Sequence, residues 1–247
     1  MRLLIQGESG RDAALRRLSP RRGHSLPSHG PWDAVILPLP HSTISEETAD
    51  LLPRGQIVVC GHTDAAFDCL AAQRGWRLIR ILEDPEFIEK NAKLTAEGAV
   101  HAAMGAVPCS LQDSECLVVG FGRIGKALTK ILRGMGVAVT VAARRPESRA
   151  EAGENSVAMT GISRLLPRCR IVFNTVPATV LSSAQLSLLP SGSVYIELAS
   201  PPYGIAPEEA KNSGVCYLLE SGLPGRYCPE SAAETLLSCI ERKVCRP

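Results

Sequence analysis

The stretch Cys116–Glu147, "CLVVGFGRIGKALTKILRGMGVAVTVAARRPE", contains an apolar run, three closely spaced glycines and two adjacent arginines. Its first residues, CLVV, are typical of a buried strand, and the segment after the glycines has apolar residues at helical spacing. A second apolar run, VAVTVAA, follows. This order predicts a βαβ unit of about 30 residues, the unit that carries a dinucleotide-binding glycine turn.

The three glycines form a G-x-G-x-x-G pattern at Gly120, Gly122 and Gly125. In such a pattern the first glycine permits a tight turn, the second lets a pyrophosphate approach the backbone, and the third lets the helix pack closely. The backbone N–H groups of Arg123 and Ile124 would then face the phosphates at the positive end of the helix dipole. The pattern alone is weak, but here a strand precedes it and a helix and a second strand follow, so we predict dinucleotide binding.

The second strand of this unit ends in a basic sequence, "AARRPE". A carboxylate about 20 residues past the glycine turn would bind the 2′-hydroxyl of NAD. Arg144 and Arg145 occupy this region instead, and their planar guanidinium groups suit a 2′-phosphate. We therefore predict NADP as the cofactor, with NAD possible. The alternative interpretation is that both arginines belong to a solvated loop.

The rest of the chain alternates between strand-like and helix-like segments. The predicted strands are RLLIQ, DAVILP, QIVVC, WRLIRI, CLVVG, VAVTVAA, RIVFNTV, SVYIELA and VCYLL. Such alternation predicts α/β architecture with parallel sheets. We expect a Rossmann-type doubly wound parallel sheet preceded by a smaller α/β domain.

The predicted divisions are an N-terminal domain at 1–90, a connecting helix at 91–112 and the NAD(P)-binding domain at 113–247. Asp84 followed by Pro85 suits the N-cap and first position of the helical segment that leads out of the first domain. Ligands are expected to bind in the cleft between the two domains.

Composition argues against several classes of partner. The formal net charge of the 247 residues is +2, and only 4% of them are aromatic, so neither a nucleic acid nor a membrane surface is expected to bind. No apolar run approaches the roughly 18 residues of a membrane span. The nine cysteines include no CxxC pair, which favours reduced cysteines in a cytoplasmic protein and no metal site.

Three loops are predicted at the carboxyl edge of the second sheet, where such folds bind their ligands. The loop "NTVPATVL" follows one strand and "SPPYG", with Ser200, follows the next. The sequence "SGLPGRY" follows the last strand and is suited to binding a carboxylate. Any one of these segments is also compatible with a plain turn. The predicted cofactor contacts in the first loop are Asn174, Thr175, Val176 and Pro177.

Taken together, these motifs resemble a known family. "NAKLTAEGA", "VVGFGRIGKAL", "NTVPATVL", "ELASPPYG" and "SGLPG" followed by "CPESAAE" are similar to segments of dipicolinate synthase A subunits. The resemblance covers nearly the whole chain and is strongest from Asn91 to Thr235. It implies a two-domain Rossmann-type protein that uses NADP and acts with a flavoprotein-like B subunit. It also implies a dicarboxylate substrate, dihydrodipicolinate, and the cytoplasm of the mother cell of a sporulating bacterium.

The resemblance also suggests how substrate would be held and deprotonated. Thr95 and the backbone of Gly98 are expected to bind one carboxylate. The segment 222–226 is expected to bind the other. Glu97, which matches the family pattern, and His62, which does not, are the candidate bases, although His62 is also compatible with a simple turn. The predicted substrate contacts are Thr95, Gly98, Ser200, Gly222, Leu223, Pro224, Gly225 and Arg226.

Two rival interpretations remain open at this point. The first is a self-sufficient hydroxyacid or shikimate-type dehydrogenase, which would need a His–carboxylate or Lys–Asp pair in its cleft. Lys93 and Asp84 are present, but their spacing has no specific signature. The second is a module that senses a dinucleotide and catalyses nothing. Activity of the purified chain, alone and with the B subunit, separates the three interpretations.

Overall fold

A computed structural model describes residues 1–211 and 213–245 of the chain. It contains ten strands, all in parallel pairs. All nine predicted strands are present, and a short one at Ser156–Val157 adds to them. The strands are β1 (Leu3–Ile5), β2 (Ala34–Ile36), β3 (Ile57–Cys60), β4 (Arg77–Arg80), β5 (Glu115–Val119), β6 (Ala138–Ala142), β7 (Ser156–Val157), β8 (Cys169–Asn174), β9 (Val194–Glu197) and β10 (Cys216–Leu219).

Helices connect most of these strands, as parallel pairing requires. Short 3₁₀ turns lie between some of them. The α-helices are α1 (Gly10–Arg21), α2 (Glu46–Leu51), α3 (Ala65–Arg74), α4 (Pro85–Ala106), α5 (Arg123–Gly134), α6 (Pro146–Ala152), α7 (Ser183–Leu186), α8 (Pro207–Lys211), α9 (Leu223–Tyr227) and α10 (Pro229–Cys245).

The chain divides into two compact units. The N-terminal unit comprises Met1–Leu94 together with Gly222–Pro247, and the Rossmann unit comprises Thr95–Ser221. This division differs from the sequence-based one, which assigned 113–247 to a single domain and 91–112 to a connecting helix. The boundary falls inside α4, and α9 and α10 belong to the N-terminal unit.

Packing explains why the end of the chain belongs to the N-terminal unit. The sheet of this unit has the order β1-β2-β3-β4. Leu236, Leu237 and Ile240 of α10 are fully buried in one core with Leu3 of β1 and Leu15 of α1. Burying a large apolar side chain stabilises a fold by about 1.5–3 kcal/mol. The apolar face of α10 thus covers the N-terminal sheet, a pairing that local sequence patterns do not reveal.

Asp84 joins two helices within the N-terminal unit. As predicted, it caps α4, because its Oδ1 accepts a hydrogen bond of 2.9 Å from the Phe87 N–H. The same carboxylate pairs with Arg242 at 2.8 Å and Lys243 at 3.1 Å on α10. Burial raises the pKa of Asp84, but these hydrogen bonds and charges outweigh it and lower the pKa to about 2. The carboxylate is therefore ionised at neutral pH and ties α10 to the start of α4.

The Rossmann unit is built on a six-stranded sheet of order β10-β9-β8-β5-β6-β7. Numbered within the unit, this is the 6-5-4-1-2-3 order of dinucleotide-binding folds. The order reverses between β5 and β8, so the loops that follow these two strands lie side by side at the carboxyl edge. This switch point is where such sheets bind their ligands.

Candidate functional site

The glycine turn lies at the switch point of the Rossmann unit. It connects β5 to α5, and the adjacent loop follows β8. The Thr175 N–H donates a 2.9 Å hydrogen bond to the carbonyl of Val119, so the β8 loop is fixed against the end of β5. Gly120 has φ +96°, in the left-handed region that favours glycine. The turn predicted from the sequence is therefore present with the expected backbone geometry.

The three glycines differ in the space around them. A Cβ at Gly120 would collide with Thr175 Oγ1 and lie 2.7 Å from Val176 Cγ2. A Cβ at Gly125 would collide with the Gly120 carbonyl oxygen, so α5 packs directly on the turn. A Cβ at Gly122, by contrast, would have nothing within 4 Å. The open space beside Gly122 is where a pyrophosphate would approach the backbone.

The start of α5 has backbone donors available for an anion. Gly122 is the N-cap and provides no side-chain cap. The Lys126 N–H donates to the Gly122 carbonyl at 2.9 Å, and the N–H groups ahead of it have no partner within the helix. These include the N–H groups of Arg123 and Ile124. Together with the helix dipole they favour a phosphate at this point.

The basic segment after β6 is accessible. Arg144 and Arg145 are exposed, and in the described part of the chain neither guanidinium has a hydrogen-bond or ion-pair partner. Their turn is held in place by Arg149, whose Nη1 donates to the carbonyls of Ala143 and Arg144 at 3.0 and 2.8 Å. A fixed backbone with two free guanidinium groups fits a phosphate-binding role.

Two side chains predicted to contact the cofactor are occupied elsewhere. Asn174 is fully buried, and its amide donates to the Val176 carbonyl at 2.9 Å and to Glu197 Oε1 at 2.7 Å. The Thr175 hydroxyl donates to the Val119 carbonyl at 2.9 Å. Both side chains therefore shape the loop from within. Of the four residues predicted in this loop, Pro177 is exposed and Thr175 and Val176 are partly buried.

Glu197 is a central residue of this edge that the sequence analysis missed. It is fully buried at the end of β9. Its Oε1 accepts hydrogen bonds from Asn174 Nδ2 at 2.7 Å and from the Ala199 N–H at 3.0 Å, and its Oε2 accepts one from the Gly204 N–H at 2.7 Å. One carboxyl group thus links the end of β8 to the loop that contains Ser200, which is itself exposed. An acidic residue inside the apolar run "VYIEL" was the signal that could have revealed it.

The surroundings of Glu197 are poorly solvated. Burial raises the pKa of its carboxyl group, and the hydrogen bonds from Gly204, Asn174 and Ala199 oppose that rise only in part. The neighbouring Tyr195 ring stacks on Tyr217, with centroids 5.8 Å apart. Burial raises the pKa of both phenols, that of Tyr217 to about 12. Both tyrosines therefore stay neutral in the physiological range.

The candidates on α4 occupy different faces of that helix. Thr95 and Gly98 are buried, whereas Glu97 is exposed. Residues two apart on a helix do not face each other, so Thr95 and Glu97 point in different directions. Gly98 lies inside the 22-residue helix, where its N–H is used by the helical hydrogen-bond ladder. The Gly98 N–H is thus used within α4, and the carboxylate contact through the Gly98 backbone stays a prediction. His101, four residues after Glu97, shares its face and was overlooked.

The segment 222–226 also differs from the predicted loop. Residues Leu223–Tyr227 form the short helix α9, and Gly222 precedes it with φ +63°. The N–H groups of Gly225 and Arg226 both donate to the Gly222 carbonyl, at 3.0 and 3.2 Å. These N–H groups are therefore used within the chain. Leu223, Pro224 and Gly225 are buried, and the exposed Arg226 guanidinium lies over the Tyr227 ring at 5.0 Å.

His62, the second candidate base, lies at the carboxyl edge of the N-terminal sheet. It is exposed after β3, and its ring centroid is 5.7 Å from that of His41, which lies after β2. Its backbone N–H donates to the Pro40 carbonyl at 2.8 Å, and its carbonyl accepts from the Ser42 N–H at 2.8 Å. The backbone of His62 therefore fixes a loop, as the simpler turn interpretation also predicted.

Comparison with known proteins supports the fold assignment. Residues 86–200 match the family described as D-isomer specific 2-hydroxyacid dehydrogenase, NAD binding domain. The crystal structure of the dipicolinate synthase A subunit from Bacillus halodurans is similar in fold, with a TM-score of 0.87, 22% identity and coverage of 100% of this chain and 98% of that one. An L-alanine dehydrogenase structure is also similar, with a TM-score of 0.70 and 13% identity, over 99% of this chain and 89% of that one.

A curated relative gives the sequence resemblance directly. The dipicolinate synthase A subunit of Bacillus subtilis (strain 168) is 25% identical over 228 residues, which is 85% of this chain and 77% of the relative. The chain thus resembles dipicolinate synthase A subunits, in agreement with the motif comparison. The dehydrogenase-type domain supports a nicotinamide dinucleotide as the ligand of the glycine turn and an oxidoreductase-like role. Within the described residues, no helix is long and apolar enough to span a bilayer.

Proposed function

We propose that this chain is the A subunit of a dipicolinate synthase and dehydrogenates dihydrodipicolinate to dipicolinate with NADP. The observation that carries the proposal is the combination of a sequence resemblance over 85% of the chain with an intact dinucleotide turn at the switch point. A catalytic partner, the B subunit, is part of the proposal because the relative is named as one subunit of an enzyme. A role in sporulation, in the mother-cell cytoplasm, follows from the same resemblance.

The proposed reaction makes specific demands on the protein. Dihydrodipicolinate becomes aromatic by losing a hydride and a proton from its ring. NADP⁺, held at the glycine turn, would supply the hydride acceptor, so the residues of the chain must orient the ring and receive the proton. Glu97 on α4 is the proposed base, since it is exposed and titratable, with His62 as the alternative. Thr95 and Ser200 stay the predicted substrate contacts of the Rossmann unit.

The proposed cofactor contacts follow from the turn geometry. The N–H groups at the start of α5 would bind the pyrophosphate beside Gly122. Arg144 and Arg145 would pair with the 2′-phosphate, because in the described residues their guanidinium groups have no ion-pair or hydrogen-bond partner that would have to be broken first. The β8 loop at 175–177 would contact the nicotinamide half through its backbone and Pro177 rather than through the Asn174 amide.

Replacing Arg144 and Arg145 together with alanine is expected to weaken NADP binding at least tenfold and to change NAD binding less than about twofold. Each lost charge-assisted hydrogen bond is worth about 1.5–3 kcal/mol, and NAD has no 2′-phosphate to lose. Titration calorimetry with both cofactors measures the effect. The matched control removes two other exposed arginines of the same unit, Arg164 and Arg168. An equal loss for NADP and NAD would contradict the assignment.

Steady-state assays test the proposed function itself. Dihydrodipicolinate should be converted to dipicolinate with reduction of NADP⁺ when the purified chain is mixed with the B subunit, at a rate well above that of either chain alone. Formation of dipicolinate is followed by its ultraviolet absorbance, and NADPH by fluorescence. Full activity of this chain by itself would point to the self-sufficient dehydrogenase. Dinucleotide binding with no turnover under any condition would point to the sensing module.

A further inference from the structure

Arg11 is an unusual residue at the start of α1 in the N-terminal unit. It is only 8% exposed, although arginine is almost never fully buried without a paired charge. It lies in the first turn of its helix, where the dipole favours negative charge. Burial lowers the pKa of its guanidinium group, and the nearby Asp12 opposes that effect. A buried cation at this end of a helix is costly unless an anion accompanies it.

The chain itself supplies little compensation for this charge. In the described residues the guanidinium makes one hydrogen bond, from Nη2 to Asn91 Oδ1 at 3.1 Å. Its Nε is buried and has no partner among the residues that the structure describes. The neighbouring Asp12 carboxylate is committed to the capping box, where Oδ2 accepts from the Ser9 N–H at 2.9 Å and the Ser9 hydroxyl at 2.6 Å. Arg11 therefore has a neutral amide as its partner and retains donors for an anion.

The surroundings of Arg11 include the segment 222–226, which the sequence analysis predicted to bind substrate. A Cβ at Gly225 would lie 3.4 Å from the Arg11 Cβ and 3.6 Å from its backbone nitrogen. A Cβ at Gly10 would collide with the Gly225 carbonyl oxygen. The start of α1 and the helix α9 are therefore in direct backbone contact, within one unit. Gly10 is required for this approach, because a Cβ at that position would collide with the Gly225 carbonyl oxygen and separate the two helices.

We infer that Arg11 binds a carboxylate of the substrate, with Asn91 orienting its guanidinium group and α9 closing one side of the site. The inference rests on the proposed function for the identity of the ligand, a cyclic dicarboxylate. The carboxylate contact of the N-terminal unit is thereby moved from the backbone at 222–226 to the side chain of Arg11, which the motif comparison did not identify. The N–H groups of Gly225 and Arg226 already donate within that segment. A planar guanidinium suits a planar carboxylate through paired hydrogen bonds.

The test compares ligand binding with stability in the full-length chain. Dipicolinate is titrated calorimetrically into wild type and Arg11→Met, each saturated with cofactor, first alone and then with the B subunit. Arg11→Met is expected to bind dipicolinate at least tenfold more weakly while cofactor affinity stays within about twofold. Its Tm should equal or exceed that of wild type, because an apolar side chain replaces an uncompensated buried cation. Arg17→Met, an exposed arginine of the same helix that pairs with Glu230, is the matched control and should bind normally.

The outcomes separate the inference from the proposed function. If wild type and Arg11→Met bind dipicolinate with equal affinity, the inference is overturned and the proposed function is unaffected. Absence of dipicolinate binding by wild type in every condition overturns the proposed function and the ligand assignment with it. If Arg11→Met is too unstable to measure, Arg11→Lys takes its place. Lysine keeps the positive charge but lacks the forked donors of arginine, so we expect Arg11→Lys to bind dipicolinate several-fold more weakly than wild type. Unchanged affinity in Arg11→Lys together with a lower Tm in Arg11→Met would show a purely structural role.

Discussion

Replacing Gly122 with valine is expected to weaken dinucleotide binding by at least about a hundredfold, or about 2.7 kcal/mol, while the chain stays folded. The backbone at this position has φ −82° and ψ −163°, which valine can adopt, and its Cβ would meet no protein atom within 4 Å. The added methyl groups would instead fill the space a pyrophosphate needs. Because valine is a poor N-cap, the free energy of unfolding should fall by no more than about 1 kcal/mol. Calorimetry measures the dinucleotide affinity, and urea denaturation measures the free energy of unfolding.

Two other glycines provide the controls for this experiment. Gly134→Val changes the far end of α5, where a Cβ also has nothing within 4 Å, and should leave dinucleotide binding unchanged. Gly125→Val, unlike Gly122→Val, should lower the free energy of unfolding, because its side chain would collide with the Gly120 carbonyl. Overpacking of this kind costs about 1–3 kcal/mol of stability. Normal cofactor affinity in Gly122→Val would disprove the assigned phosphate site.

Replacing Glu197 with leucine is expected to lower the free energy of unfolding of the Rossmann unit by about 2–4 kcal/mol. Leucine is apolar and accepts no hydrogen bond. It would leave donors of Asn174, Ala199 and Gly204 unpaired in the protein interior. Each buried donor without a partner costs about 1–3 kcal/mol, with partial relief from rearrangement. Urea denaturation measures the loss, and the exposed Glu154→Leu is the matched control, with an expected change within about 0.5 kcal/mol.

The pH dependence of this effect has a defined sign. The pKa of Glu197 is higher in the folded chain than its ordinary value, because burial disfavours the ionised form. The folded state therefore binds this proton more tightly than the unfolded state does. The stability contributed by the group is fully present below its unfolded pKa and is lost as pH rises through its folded pKa. The difference in unfolding free energy between wild type and Glu197→Leu should thus shrink with rising pH, and a difference that grows would contradict the direction of the shift.

Sequence reasoning succeeded where the relevant interactions are local. The glycine turn, its flanking strands and α5 lie within about 30 consecutive residues, and each glycine can be assigned a role from spacing alone. The N-cap at Asp84 was likewise evident, since it needs only the residues of the next turn. The same reasoning did not predict the helix α9 at 223–227, where glycines and a proline suggested a shaped loop suited to a carboxylate. Short segments of this kind have no periodicity from which a helix can be recognised.

The class of the fold, the parallel strands and the dinucleotide turn could be predicted from the sequence, because they depend on residues close together along the chain. Three features depend on tertiary packing: α10 completes the N-terminal unit, the Asn174 amide bonds to Glu197, and the Arg11 guanidinium donates to Asn91. The partners in these pairs are far apart in sequence: Asn174 and Glu197 by 23 positions, Arg11 and Asn91 by 80. Burial and hydrogen bonding between distant residues depend on how the chain packs, and a single sequence records no trace of which distant residues meet.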